Sequence, residues 1–190
     1  MKTIVITPET QVKGEIETCN RLLKSNIERL HIRKPFASEE SMTDYLKALD
    51  QNHWDKISLH SHHHLVDELG LGGKHFKSNQ EVLATGLVSK SFHSFAEIEA
   101  ETAPLSYGFL SPIYKSISKV CYAGEFDYTI LKSALSQYSG MMIYALGGIE
   151  ISRMAEIQDL GFDGIALLGT IWSEEDTSIR IQKTEAFINA

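Results

Sequence analysis

The segment LHSHHHLVDELG places four histidines within five positions: His60, His62, His63 and His64. Imidazoles so crowded suit three kinds of chemistry. They can hold zinc, copper, nickel or iron. They can be neutral hydrogen-bonding groups that orient a substrate, or protonated ones that steady an anion. They can also be solvated residues at a helix start, the reading that fits His63 and His64. His60 and His62 are the candidates for a metal, with His31, His75 and His93 as possible neighbours.

Three further stretches carry polar chemistry. In LHIRKP, period-two alternation puts His31 and Arg33 on one side of a strand and Leu30 and Ile32 on the other. An Arg with Lys34 beside it suits a polyanion such as pyrophosphate, and equally a charge pair on a surface loop. In SKSFHS, Ser91 and His93 share a strand side. In SPIYKSISK, the hydroxyls of Ser116 and Ser118 and the ammonium of Lys119 are phosphate-binding groups on a long polar loop, or simply solvated ones.

These residues need elements to position them. Short apolar runs alternate with longer amphipathic ones: TIVITP, ERLHIR, DKISLH, GGKHF, GLVSKSFH, LSYGFLS, MMIYALGG and DGIALLG read as strands. The runs between them include VKGEIETCNRLLKS, with Ile16, Cys19, Leu22 and Leu23 on one helical face, and SEESMTDYLKALDQ, with Ser38 as N-cap. About eight strand-then-helix units imply a parallel sheet, and eight close into a (β/α)8 TIM barrel, a single domain over residues 1–190. A doubly wound open sheet is the alternative, with fewer strands than this length offers.

A barrel of this kind builds its site at the C-terminal ends of its strands. That brings Arg33, Lys34, His60, His75, Ser91, His93 and Ser111 toward one mouth. The glycines then gain meaning. Gly147 and Gly148 end the seventh strand, and Gly169 and Thr170 end the eighth. Loops after strands seven and eight form the recurrent phosphate site of the fold, where backbone N–H groups meet an anion.

Composition bounds the partners. The net charge of −7 argues against a nucleic-acid or anionic-membrane partner, though a local cationic cluster can still hold a phosphorylated small molecule. Cys19 and Cys121 form neither a disulfide framework nor a zinc knuckle. With no signal peptide and no apolar run long enough for a bilayer, a cytoplasmic location is expected. A homo-oligomer is left open.

In their order and spacing, LHIRK, GLVSKSFHS, YGFLSPIYKSISK, YALGGI and GFDGIALLGTIW resemble the signatures of the thiamine phosphate synthase and thiazole tautomerase family, from the first strand to Trp172. The resemblance implies a (β/α)8 barrel. It also implies a transferase that joins hydroxymethylpyrimidine pyrophosphate to thiazole phosphate and releases pyrophosphate. By position, His31, Arg33, Ser91 and Lys119 match residues that contact the pyrophosphate. Ser116 and Ser118 match a hydroxyl pair on the thiazole phosphate. Gly148, Leu168 and Gly169 fall where backbone groups bind that phosphate. The family's next lysine is replaced by Pro35, with Lys34 one place early.

The resemblance also implies magnesium (Mg2+), yet its carboxylates are missing. One aspartate position falls within His60, Ser61 and His62, the other near Asn79 and Gln80. Magnesium favours anionic oxygen, so another divalent metal or none is the expectation. The tautomerase histidine is Pro112 here. Two alternatives to the synthase stand: an isomerase of thiazole phosphate, with His93 or His60 in that histidine's place, and a non-catalytic binder of thiazole phosphate or thiamine phosphate.

Overall fold

A computed structural model describes residues 1–114 and 126–190. Eight parallel strands pair in chain order and close, with β1 against β8. They are β1 (Lys2–Ile6), β2 (Arg29–Ile32), β3 (Ile57–Leu59), β4 (Gly73–Phe76), β5 (Val88–Phe92), β6 (Tyr107–Leu110), β7 (Met142–Leu146) and β8 (Gly164–Leu167). The helices are α1 (Glu15–Lys24), α2 (Glu39–Lys47), α3 (His64–Leu69), α4 (Phe95–Ala100), α5 (Tyr128–Gln137), α6 (Met154–Leu160), α7 (Gly169–Trp172) and α8 (Thr177–Asn189). The expected (β/α)8 barrel is therefore the observed one.

The local signals act as the residues dictate. Ser38 accepts from the backbone N–H of Ser41 at 3.1 Å, Ser94 from that of Glu97 at 3.2 Å, and Asp127 and Asp176 cap α5 and α8. Glu97 in turn accepts from the N–H of His93 at 2.8 Å, closing a reciprocal cap around the start of α4. Along α1, Cys19, Leu22 and Leu23 are buried with Ile16 packed beside them, while Glu15 and Glu17 at its start and Arg21 and Lys24 at its end complement the helix dipole.

Strand alternation sorts side chains into two layers. Leu30, Ile32, Ile57 and Leu59 pack outward under the helices, as do Phe92, Ile143, Ala145, Ile165 and Leu167. Ile4, Ile6, Tyr107, Phe109, Tyr144 and Ala166 fill the lumen. In register with this inward set stand His31 opposite Ser58, and His75 opposite Ser89.

Two details depart from the expected eight repeats. The segment 77–87 between β4 and β5 forms turns and no helix. It lacks an apolar stripe long enough to dock, and Leu83 stays exposed. After β8, the short α7 precedes α8, and Trp172 ties it to the barrel by donating from Nε1 to the Ile6 carbonyl at 2.7 Å. Among the described residues, no helix is long and apolar enough to cross a membrane.

Candidate active site

The four crowded histidines go four separate ways. His60 turns into the lumen, where its Nε2 lies 3.0 Å from His31 Nδ1 and its ring is 4.1 Å from that of His75 between centroids. His62 adopts a left-handed backbone (φ 53°) at the turn into α3 and donates from Nε2 to the Ala37 carbonyl at 2.9 Å. His63 donates from Nε2 to the His75 carbonyl at 3.0 Å and packs on Phe76. His64 is exposed and lies 3.1 Å from Glu39. Two expectations are corrected here. His62 is spent on a backbone carbonyl and stands apart from the imidazole cluster. His63 is a hydrogen-bonded structural residue; only His64 is solvated.

His31, His60 and His75 offer one ring nitrogen each within 4.8 Å of one another. His31 and His75 are fully buried. The remaining ring nitrogens reach oxygen. His31 Nε2 is 2.6 Å from the Tyr107 hydroxyl, and His75 Nδ1 is 2.8 Å from Ser89 Oγ. His75 Nε2 lies 2.9 Å from Ser91 Oγ, which sets Ser91 at the cluster's edge. Phe109 closes the floor, its ring 5.0 Å from His31 and 4.8 Å from His75. Burial, with help from neighbouring imidazoles and arginines, holds the His31 and His60 rings well below the usual histidine range and His75 down to about 3. Burial thus favours the neutral form of all three rings at pH 7.

The two adjacent cations at the end of β2 each have a carboxylate partner, and only one of them stays at the mouth. Arg33 is held at the end of β2 by its N–H donating to Thr7 Oγ1 at 2.9 Å, and its guanidinium lies 2.5 Å from the Glu9 carboxylate. Lys34 points the other way. Its ammonium is 2.6 Å from Glu15 and donates to the Pro8 carbonyl at 2.7 Å, with 6% of the side chain exposed. Lys34 is therefore a structural residue at the base of α1 and is unavailable to an anion at the mouth. The alternation that faces Arg33 to the lumen turns its neighbour outward.

His93 is exposed and donates from Nδ1 to the Ser111 carbonyl at 3.1 Å, which leaves Nε2 free of that bond. Gly147 (φ 97°) and Gly148 (φ 64°) are both left-handed. A Cβ on Gly147 would stand 2.9 Å from that of Pro112, so conformation and space both require glycine there. The loop after β7 is bonded to the loop after β8, because Thr170 Oγ1 donates to the Ile149 carbonyl at 2.7 Å. Leu168 caps α7 and Gly169 opens it, exposed and with nothing within 4 Å of an added Cβ. Ser116, Ser118 and Lys119 lie outside the described residues. A cleft lined by Glu101, Leu105, Tyr138 and Met141 sits at the opposite end of the barrel and shares nothing with this mouth.

Sequence reasoning did not single out Glu9, Glu15, Tyr107 or Ser89. Period two could have found Ser89 and Tyr107, which alternate inward with Ser91 and Phe109. Nothing local announces that Glu9 and Glu15 each claim a cation of β2.

The donor set does not fit magnesium. At the positions where the family resemblance puts carboxylates, Ser61 offers a buried neutral hydroxyl with no hydrogen-bond partner. Asn79 and Gln80 are exposed, and Gln80 Oε1 accepts from the Lys77 N–H. Glu9, near the mouth, is paired with Arg33. The nitrogen-rich cluster is the opposite of the hard oxygen cage Mg2+ requires.

Fold and site together define a (β/α)8-barrel protein whose strand C-termini carry a polar mouth over a buried imidazole cluster. The chain matches the family model described as thiamine monophosphate synthase over residues 3–171, and it belongs to that family. It is similar to a thiamine-phosphate synthase of Listeria welshimeri, 28% identical over 127 residues. That alignment covers 62% of this chain and 61% of the relative, so the chain matches about three fifths of the relative's length. Among solved structures it resembles thiamine phosphate pyrophosphorylase from Bacteroides thetaiotaomicron, with TM-score 0.85 and 26% identity over 99% of this chain and 96% of that one. It shares its fold with the Pyrococcus furiosus thiamine phosphate pyrophosphorylase, with TM-score 0.79 and 19% identity over 99% and 94% of the two chains.

Proposed function

We propose that this protein is a thiamine phosphate synthase-like transferase. It joins hydroxymethylpyrimidine pyrophosphate to thiazole phosphate and releases pyrophosphate. The observation that carries the reading is the family match from residue 3 to residue 171. It is supported by Arg33, at the end of β2 on the mouth side, and by Ser91, facing the lumen from β5.

The reaction breaks a C–O bond to the pyrophosphate and forms a C–N bond to the thiazole nitrogen. The protein's part is positioning and charge stabilisation. Arg33 and Lys119 take the charge developing on the leaving pyrophosphate, and Ser91 donates a hydroxyl to it. Gly147, Gly148, Leu168 and Gly169 supply the backbone of a cup for the thiazole phosphate, and the family resemblance adds the hydroxyls of Ser116 and Ser118 as its further ligands. His31, which the resemblance matches to a pyrophosphate contact, is fully buried with both ring nitrogens engaged by His60 and Tyr107, so no substrate contact is assigned to it. No step is assigned to magnesium.

A second reading has one observation in its favour. The loops after β7 and β8 are intact and bonded to each other, while the carboxylates for magnesium are absent, which is what a non-catalytic binder of thiazole phosphate would keep and lose.

The test is thiamine phosphate formation from the two substrates with Mg2+, with Zn2+ and with chelator. Wild type is expected to turn over in at least one condition, and Arg33→Ala to lose activity by orders of magnitude. No product in any condition, with thiazole phosphate binding unchanged by Arg33→Ala, would establish the binder instead.

A further inference from the structure

We propose that His31, His60 and His75 form a three-imidazole site for a borderline divalent transition metal of the zinc or cobalt type, set in the barrel lumen beneath the mouth. The three residues come from β2, the end of β3 and β4, and their nearest ring nitrogens lie within 4.8 Å of one another. Three imidazoles with one further position for water or an anionic oxygen are a common protein arrangement for Zn2+.

The surroundings are arranged as outer partners of metal ligands are. A ligating histidine donates its other ring N–H to an oxygen, which fixes the ring and its tautomer. His31 has the Tyr107 hydroxyl at 2.6 Å on Nε2, leaving Nδ1 aimed at His60. His75 has Ser89 Oγ at 2.8 Å on Nδ1, leaving Nε2 toward Ser91 and the mouth. Ser89 lies within 3.5 Å of the Lys74 carbonyl as donor, so its oxygen is free to accept from His75. His31 thus has an oxygen on the nitrogen that faces away from His60, and His75 is fixed by a serine oxygen at each of its nitrogens.

The alternative for such a cluster is a closed hydrogen-bond chain with no ion. In that chain His60 Nε2–H donates to His31 Nδ1. Metal entry replaces that shared proton, and His60 keeps its hydrogen by moving it to Nδ1. No net proton is released and no backbone rearrangement is required.

The experiment uses the full chain and the metal alone, without substrates, so its failure is separable from failure of the transferase reading. Metal-stripped protein is titrated with Co2+, reading d–d absorption and stoichiometry by equilibrium dialysis. Wild type is expected to bind one equivalent with the spectrum of a nitrogen-rich, low-coordinate site. Excess Mg2+ should not displace it, and equimolar Zn2+ should. Binding should weaken at least 100-fold in His60→Gln, whose residue is half-buried and the least demanding of the three to replace. A variant in which His62, His63 and His64 are all alanine should keep the site. Absence of a saturable equivalent in wild type would overturn the proposal. So would retention in a folded His60→Gln, or loss confined to the triple variant. Should His60→Gln not fold, Co2+ displacement by Zn2+ and the nitrogen hyperfine pattern of a Cu2+-loaded wild type decide the ligand set.

Discussion

The Arg33 guanidinium lies 2.5 Å from the carboxylate of Glu9, one residue contributed by the end of β2 and the other by the loop after β1. Both side chains are substantially solvated, 36% and 43% exposed, so the pair is weak by itself, about 0.2–1 kcal/mol. Its consequence is competitive. A pyrophosphate that takes Arg33 must first displace Glu9. Glu9→Gln is therefore expected to tighten binding of inorganic pyrophosphate by about 1.4- to five-fold, the range that energy corresponds to. Isothermal titration calorimetry reads it. Unchanged or weaker binding would show that Arg33 does not meet the anion.

Lys34 tests the opposite case, a cation sealed in the fold. Its partner Glu15 is fully buried and also accepts from the Tyr45 hydroxyl at 2.5 Å and the Val12 N–H at 2.9 Å. Lys34→Ala strands that carboxylate, at a cost of about 3–5 kcal/mol. Urea unfolding should show it, and the loss should shrink in a Lys34→Met, Glu15→Gln double variant. A stability change below 1 kcal/mol would place Lys34 back at the mouth.

The two glycine loops separate folding from binding. Gly147→Ala meets both a left-handed backbone and Pro112, and should destabilise by about 1–3 kcal/mol in thermal melts. Gly169→Ala meets nothing within 4 Å at the first position of α7, where alanine is a better helix former. It should melt no lower than wild type and still bind thiazole phosphate more weakly. If Gly169→Ala melts normally and binds as tightly as wild type, the loop after β8 is no part of the cup.

Cys19 gives a pH prediction. Burial, with the Glu15 charge adding to it, pushes its thiol up from an ordinary 9.0 to about 12, although the Tyr45 hydroxyl at 3.6 Å opposes the shift. The unfolded chain ionises first as pH rises, so this thiol's contribution to stability is full below pH 9 and is lost progressively between 9 and 12. In a Cys121→Ser background, native protein at pH 8 should react with a disulfide reagent only as fast as it unfolds, and at once in denaturant. Rapid native labelling would contradict the buried position.

Much of this molecule was legible in its sequence. Period-two alternation in LHIR faced His31 inward and Leu30 and Ile32 outward, and the same rule faced Ser91 inward on β5. Ser38 stood as a cap because its hydroxyl can satisfy an orphan N–H whatever the fold above it. The glycine pair after YAL marked a turn that only glycine makes at low cost. The run HSHHH, by contrast, did not reveal which of its members mattered, because a six-residue helix preceded by a left-handed turn scatters consecutive side chains in different directions.

Which face a side chain takes is a property of the local pleat, and the sequence by itself determined it. Which distant residues then meet is a property of closure. His31 and His60 are 29 residues apart, and His31 and Tyr107 are 76 apart. Their contacts exist because the closed sheet brings the inward residues of β2, β3, β4 and β6 into one lumen. The same closure gave Glu9 to Arg33 and Glu15 to Lys34, turning two adjacent cations of like sequence character into one group at the mouth and one buried pair. Only the tertiary structure decided these, because the energy of a charge or an imidazole is set by the partners and water around it, and those come from elsewhere in the chain.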